Sequence, residues 1–268
     1  MSTDCYSLQS FLGPEFEEFM ACCTLGVSGL GGGGSHIVQQ LALMGFQNYV
    51  LYDDDAPEES NLNGIIGATT ADALAGTSKL HLAKTMIYGL QPHANVRGFP
   101  CSWRDDPQPM SDCQIVFGCV DDYKEREELE IACRRYLTHY IDVGMDLHIA
   151  ESPAIHGQVI LSSPGGLCMR CMGFLNDEKL AREAQHETAG ACSQVVWPSG
   201  VLASTAVGVA VDLVTNWTRK QRSHAYLVYD GNEGTIKEST TLRQLNTVVC
   251  THFGESDVGD PALVEENC

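Results

Sequence analysis

Positive charge is scarce in this chain. Lysine and arginine together number 16 against 35 aspartates and glutamates in 268 residues, a formal net charge of −19. No basic patch is available to meet a phosphate backbone, which argues against a nucleic-acid partner. Uninterrupted apolar runs are also missing. The longest apolar stretch, Gly200 to Trp217, carries Ser204, Thr205, Asp212, Thr215 and Asn216. A buried helix fits it better than a membrane span, so no membrane partner is expected. Met1 to Phe19 is polar and acidic, unlike an export signal. Without one, the 12 cysteines point to reduced thiols, a bound metal and a cytoplasmic setting rather than to a disulfide scaffold. There is no GxSxG elbow, no triad spacing among the histidines and no internal repeat.

What is present centres on Thr24 to Asp55, TLGVSGLGGGGSHIVQQLALMGFQNYVLYDDD. Met20 to Ser28 reads as a buried strand. Gly29-x-Gly31-x-x-Gly34 follows, within a run that includes Gly33. Ser35 to Met44 has helical spacing, with Ile37, Leu41 and Met44 on one face and Gly45 as the stop. Asn48 to Tyr52 reads as a second strand, ending on Asp53, Asp54 and Asp55. Glycines allow a tight turn and let a phosphate approach without a Cβ in the way. The helix start then offers free N–H groups and a positive dipole end. A carboxylate about 20 residues on can take ribose hydroxyls, and Asp53 stands there. A bare glycine turn would say little. Strand, turn, helix and acid in register favour a nucleotide.

The rest of the chain alternates. FLGPEFEEF reads as a lead-in helix, and Glu58 to Gly76 as a long functional loop. Ser78 to Leu90 reads as a helix, Asn95 to Phe99 and Gln114 to Phe117 as strands, Lys124 to Tyr136 as a helix, and Tyr140 to Val143 as a strand. Such alternation predicts an α/β fold with a mostly parallel, Rossmann-like sheet covered on both faces. Further on, Gly157 to Ser162 reads as a strand, Asp177 to Gln185 as a surface helix, and Tyr226 to Tyr229, Thr235 to Lys237 and Thr247 to Cys250 as antiparallel strands extending the sheet. The tail from Gly254 is acidic.

GLGGGGSH (29 to 36), DDDAPEESNLN (53 to 63), Lys79, VFGCVDD (116 to 122), the CxxC at 168 to 171 and PSGVLAST (198 to 205) resemble the ThiF/HesA/MoeB superfamily of ubiquitin-activating-enzyme-like proteins, the stand-alone bacterial members above all. The resemblance covers nearly the whole chain. It implies one adenylation domain, with a lead-in at 1–20, a nucleotide-binding half at 21–150, a carrier-binding and zinc half at 151–253, and a tail at 254–268. It implies ATP- and magnesium-dependent adenylation of the C-terminal glycine of a ubiquitin-like or sulfur-carrier protein, and a homodimer through the apolar helix at 200–217. Carried over residue by residue, Gly29, Gly31, Gly33 and Gly34 would admit the nucleotide. Asp53, with Asp55, would hold the ribose end, Asn61 would contact phosphates, and Lys79 would neutralise phosphate charge. Asp121 would bind magnesium. Cys192 would be a candidate acyl acceptor.

Cys168-Met169-Arg170-Cys171 has zinc spacing, with a redox pair as the alternative. The family closes such a site near its C-terminus, where Cys250 and His252 are the nearest partners and Cys268 a rival. Two departures stand out. Gly64 and Leu8 occupy positions where the family usually has phosphate-facing arginines, with Arg126 and Lys124 as possible substitutes. Two other readings stay open at this point: a degenerate homologue acting as a dimeric binding platform, and a nicotinamide-dependent oxidoreductase.

Overall fold

The structure, a computed structural model, describes residues 3–149, 152–185, 195–245, 249–254 and 257–259. Its centre is one eight-stranded sheet in the order β3-β2-β1-β4-β5-β6-β7-β8. The strands are β1 Thr24–Ser28, β2 Asn48–Tyr52, β3 Asn95–Phe99, β4 Ile115–Gly118, β5 His139–His148, β6 Ala154–Ser162, β7 His224–Asp230 and β8 Thr235–Glu238. The first five pair in parallel. From β5 onward the pairing is antiparallel. This is the parallel sheet with an antiparallel extension that the alternation predicts.

The helices are α1 Phe16–Cys22, α2 Gly32–Met44, α3 Thr70–Ala75, α4 Lys79–Leu90, α5 Tyr123–Arg135, α6 Asp177–Gln185, α7 Val196–Thr215 and α8 Thr240–Gln244. Successive strand side chains point to opposite faces, so one strand feeds two cores. Tyr49 and Leu51 of β2, with Ile115 and Phe117 of β4, pack under α2, α4 and α7. Val50 and Tyr52, with Val116, face α5 through Leu129, Ala132 and Cys133. The residues named in both layers are buried, and each fully buried Leu, Ile or Val contributes about 1.5–3 kcal/mol.

Several boundaries move from the sequence expectation. FLGPEFEEF breaks at Gly13–Pro14 into a 3₁₀ segment, Thr3–Leu12, and the start of α1. Met20 belongs to that helix, so β1 starts at Thr24. α2 begins at Gly32 rather than Ser35, because first-turn N–H groups have no intrahelical partner to lose and glycine costs least there. β5 is ten residues long, because β6 pairs with it from Tyr140 to His148, well past Asp142 where the pairing with β4 ends. No strand forms at Val249–Cys250, and Thr247 and Val248 lie outside the described residues.

Candidate active site

The C-terminal ends of β1, β2 and β4 open into a cleft of about 370 Å³. Gly29 turns the chain out of β1 with φ +85°, and a Cβ there would lie 2.4 Å from the Cys119 carbonyl oxygen. A Cβ on Gly34 would lie 1.9 Å from the Gly29 oxygen. Glycine is therefore required at both positions, the first for the turn and the second for seating α2 against it. Gly31 is the N-cap of α2 and makes no side-chain cap of its own. A helix N-terminus favours an anion, and Gly31 brings this one to the cleft lining. Gly29 and Gly31 line the cleft. Gly33 lines a neighbouring small pocket instead, and Gly34 is structural.

Asp53 sits at the end of β2 and is 9% exposed. Its Oδ2 accepts the Leu30 N–H at 2.6 Å and its Oδ1 the Asp55 N–H at 3.0 Å. Burial pushes this carboxyl up from the usual range, against Lys79 and the two amides, which favour its charge. The carboxylate thus orders the glycine turn as well as facing the cleft. Lys79 is the first residue of α4, whose N-cap is Ser78. Its Nζ lies 2.7 Å from Asp55 Oδ2. Asp121 is exposed beyond β4 and lines both the large cleft and the adjoining pocket of about 40 Å³. Asp122 caps α5 by accepting the Glu125 N–H at 2.6 Å.

The remaining sequence candidates separate. Asn61 does not reach the cleft: its Oδ1 accepts the Glu58 N–H at 2.9 Å in a turn. Lys124 points to solvent and pairs with Glu127 and Glu128. Arg126 is buried, with Nη1 2.6 Å from Asp142 Oδ1. Burial opposes its charge, but Asp142 more than offsets this, so it remains a cation. It lines the small pocket rather than the cleft. Neither residue therefore replaces a missing cleft arginine. The cleft instead contains Arg104, from the loop after β3, and Trp103 beside it. Sequence reading missed both, since an irregular loop carries no periodicity. Burial pushes the Cys119 thiol up to about 12, which unfits it as a nucleophile. Cys192 lies outside the described residues.

On the other side of α5, four ligand atoms meet. The Sγ of Cys168 and Cys171, the Sγ of Cys250 and a ring nitrogen of His252 lie within 4.8 Å of one another. Cys171 Sγ is 3.6 Å from Cys250 Sγ, while His252 Nδ1 is 3.1 Å from Cys171 Sγ and 3.5 Å from Cys168 Sγ. A tetrahedral zinc site requires about 3.8 Å between sulfurs and about 3.5 Å between sulfur and nitrogen. The donor set and spacing fit such an ion. Cys268, the rival ligand, lies outside the described residues.

Comparison with known proteins adds three findings. A model of the ThiF family matches residues 6–250. The SAMP-activating enzyme E1 of Haloferax volcanii is 28% identical over 165 residues, 60% of this chain and 57% of that protein. Ubiquitin-like modifier-activating enzyme 5 of Bombyx mori is 23% identical over 78% of this chain and 52% of its own length. The chain thus spans about half the length of these curated relatives. Among solved structures, E. coli MccB with ATP superposes with a TM-score of 0.71 at 17% identity, covering 93% of this chain and 75% of MccB. The likeness to MccB is one of fold.

Proposed function

Because this chain belongs to the ThiF family, we propose that it uses ATP to adenylate the C-terminal carboxylate of a small ubiquitin-like or sulfur-carrier protein. The observation that carries the reading is the convergence of the glycine turn before α2, Asp53, Lys79 and Asp121 on one cleft, itself joined at Asp121 to a second small pocket. The named functions of its relatives, SAMP activation and ubiquitin-like modifier activation, support it.

In this reading the α2 N-terminus holds phosphates and Asp53 meets the ribose. Lys79, held by Asp55 at the mouth of the cleft, offsets charge as it moves onto the leaving pyrophosphate. Asp121 would hold a magnesium ion, which screens phosphate oxygens from an incoming carboxylate. The small pocket beside it, walled by Gly33, Gly144 and Leu202, offers a narrow approach for an extended C-terminus. Cys168, Cys171, Cys250 and His252 would hold a structural zinc ion, with four protein ligands and no open position. Exposed Trp197 and Val201 on α7, together with Trp217 against Phe11 at 5.9 Å, support a homodimer through that helix.

A second reading has one specific support. Leu8 is 92% exposed and Gly64 carries no side chain, so the two arginines expected there are absent. A degenerate binding platform would follow. ATP–pyrophosphate exchange, measured with the small glycine-terminated proteins of the same organism, separates the two. Carrier-dependent exchange supports adenylation. No exchange with any of them, in a protein that still binds ATP, supports the platform.

A further inference from the structure

The cleft has a second wall that the glycine pattern does not explain, and its use follows only if the nucleotide reading holds. After β3 the chain crosses beneath the strand ends as an irregular loop. The Tyr52 hydroxyl donates to the Asp106 carbonyl at 2.8 Å. Trp103, 4% exposed, donates its Nε1–H to Glu125 Oε1 on α5 at 2.9 Å. Arg104 lies over the Trp103 ring at 5.7 Å. Its Nε donates to Glu128 Oε2 at 2.6 Å, and its Nη1 is 3.3 Å from Glu125 Oε2. Trp103, Arg104 and Glu125 all line the cleft.

A nucleoside triphosphate has three parts. The helix start takes phosphates and Asp53 takes ribose, which leaves this wall for the base. Arg104 is poorly suited to phosphate: two carboxylates already engage its charge, and Glu125 and Asp122 beside it would repel a polyanion. Its planar face suits a heteroaromatic ring. Glu125 is an acceptor, and Trp103 and Arg104 leave part of its capacity unused. It can accept from an exocyclic amine but would repel a carbonyl at the same place. Adenine presents an amine on that edge, whereas hypoxanthine presents a carbonyl.

We infer that Trp103, Arg104 and Glu125 form a base-reading site in which Arg104 covers the purine and Glu125 selects an amino over a keto edge. The test is calorimetric titration of the full chain with ATP, inosine triphosphate and AMP, each with magnesium, for the wild type, Glu125→Gln and Arg104→Ala. Near-UV circular dichroism monitors folding. The wild type should prefer ATP over inosine triphosphate by about tenfold or more, the scale of one unsatisfied polar contact. Glu125→Gln, whose amide can donate to a carbonyl, should reduce the preference to about twofold. Arg104→Ala should weaken ATP and AMP alike by about fivefold, as loss of a stacking partner would. An unchanged preference in Glu125→Gln overturns the inference. So does an Arg104→Ala effect seen with ATP but not AMP, which would mark a phosphate contact. Failure of the wild type to bind any of the three overturns the nucleotide reading itself.

Discussion

The cleft at the strand ends and the cysteine–histidine cluster lie on either side of α5 and are built in different ways. The cleft has a backbone frame that side chains line. Its glycine turn, helix start and Asp53 come from the ends of adjacent parallel strands within one β1-α2-β2 unit, and the sheet register fixes them relative to one another. The cluster is made of side chains. Cys171 and His252 stand 81 residues apart, on turns rather than strands. Removing a side chain from the cleft should therefore impair chemistry while the architecture survives. Removing one from the cluster should loosen the architecture while the cleft survives.

The largest expected effect is catalytic. Asp121→Ala should lower carrier-dependent ATP–pyrophosphate exchange by about 10²–10³-fold, the scale of one lost electrostatic partner in a transition state. Its melting temperature should stay within a few degrees of the wild type, because the side chain is exposed. Normal exchange in this variant would remove Asp121 from the mechanism. Next comes the cluster. Cys168→Ser should release the metal and cost roughly 4 kcal/mol or more, a fall of roughly 10 °C in a chain of this size. Atomic absorption and a thermal scan read both, and full metal content in the variant would end the zinc assignment.

Asp53 tests the contrast from inside. Its carboxylate accepts two backbone N–H groups in a largely buried turn, so Asp53→Ala strands both amides at a cost of about 1–3 kcal/mol. ATP affinity should fall about tenfold, and the melting temperature should fall by a few degrees. Asp53→Asn keeps one acceptor and should recover part of the stability but little of the affinity. Equal loss of both properties in the two variants would mean that the carboxylate serves only the fold.

The local unit was legible because its signals are short-range: a glycine spacing, a 3.6-residue period, and an acid after a strand. The CxxC was legible for the same reason. The rest needed contacts between distant segments. Asn61 looked like a phosphate ligand from its place in a pattern, yet its side chain closes a turn on Glu58. Arg126 looked available, yet it is committed to Asp142 across the sheet. Trp103 and Arg104 gave no periodic signal, and they reach the cleft only because the loop after β3 crosses to α5. β5 was read too short because its outer residues are held by β6 rather than by a buried face of their own.

The smallest effect asks whether the two regions are independent. Between the two cysteines of the CxxC, Arg170 donates to Glu127 of α5 at 2.6 Å, and α5 begins just after Asp121. One link from cluster to cleft runs through this pair, beside a buried one in which the Met169 N–H donates to Glu130 Oε1 of α5 at 2.8 Å. Arg170 is 27% exposed and Glu127 12%, so the pair is partly screened and worth about 0.5–1 kcal/mol. The cap of α5 at Asp122 and the packing of Leu129 and Cys133 hold the helix without it. Arg170→Ala should therefore lower the melting temperature by roughly 2 °C and leave ATP affinity unchanged. A several-fold loss of ATP affinity with the metal retained would show that α5 transmits strain between them, and the cluster would have to count as part of the active site.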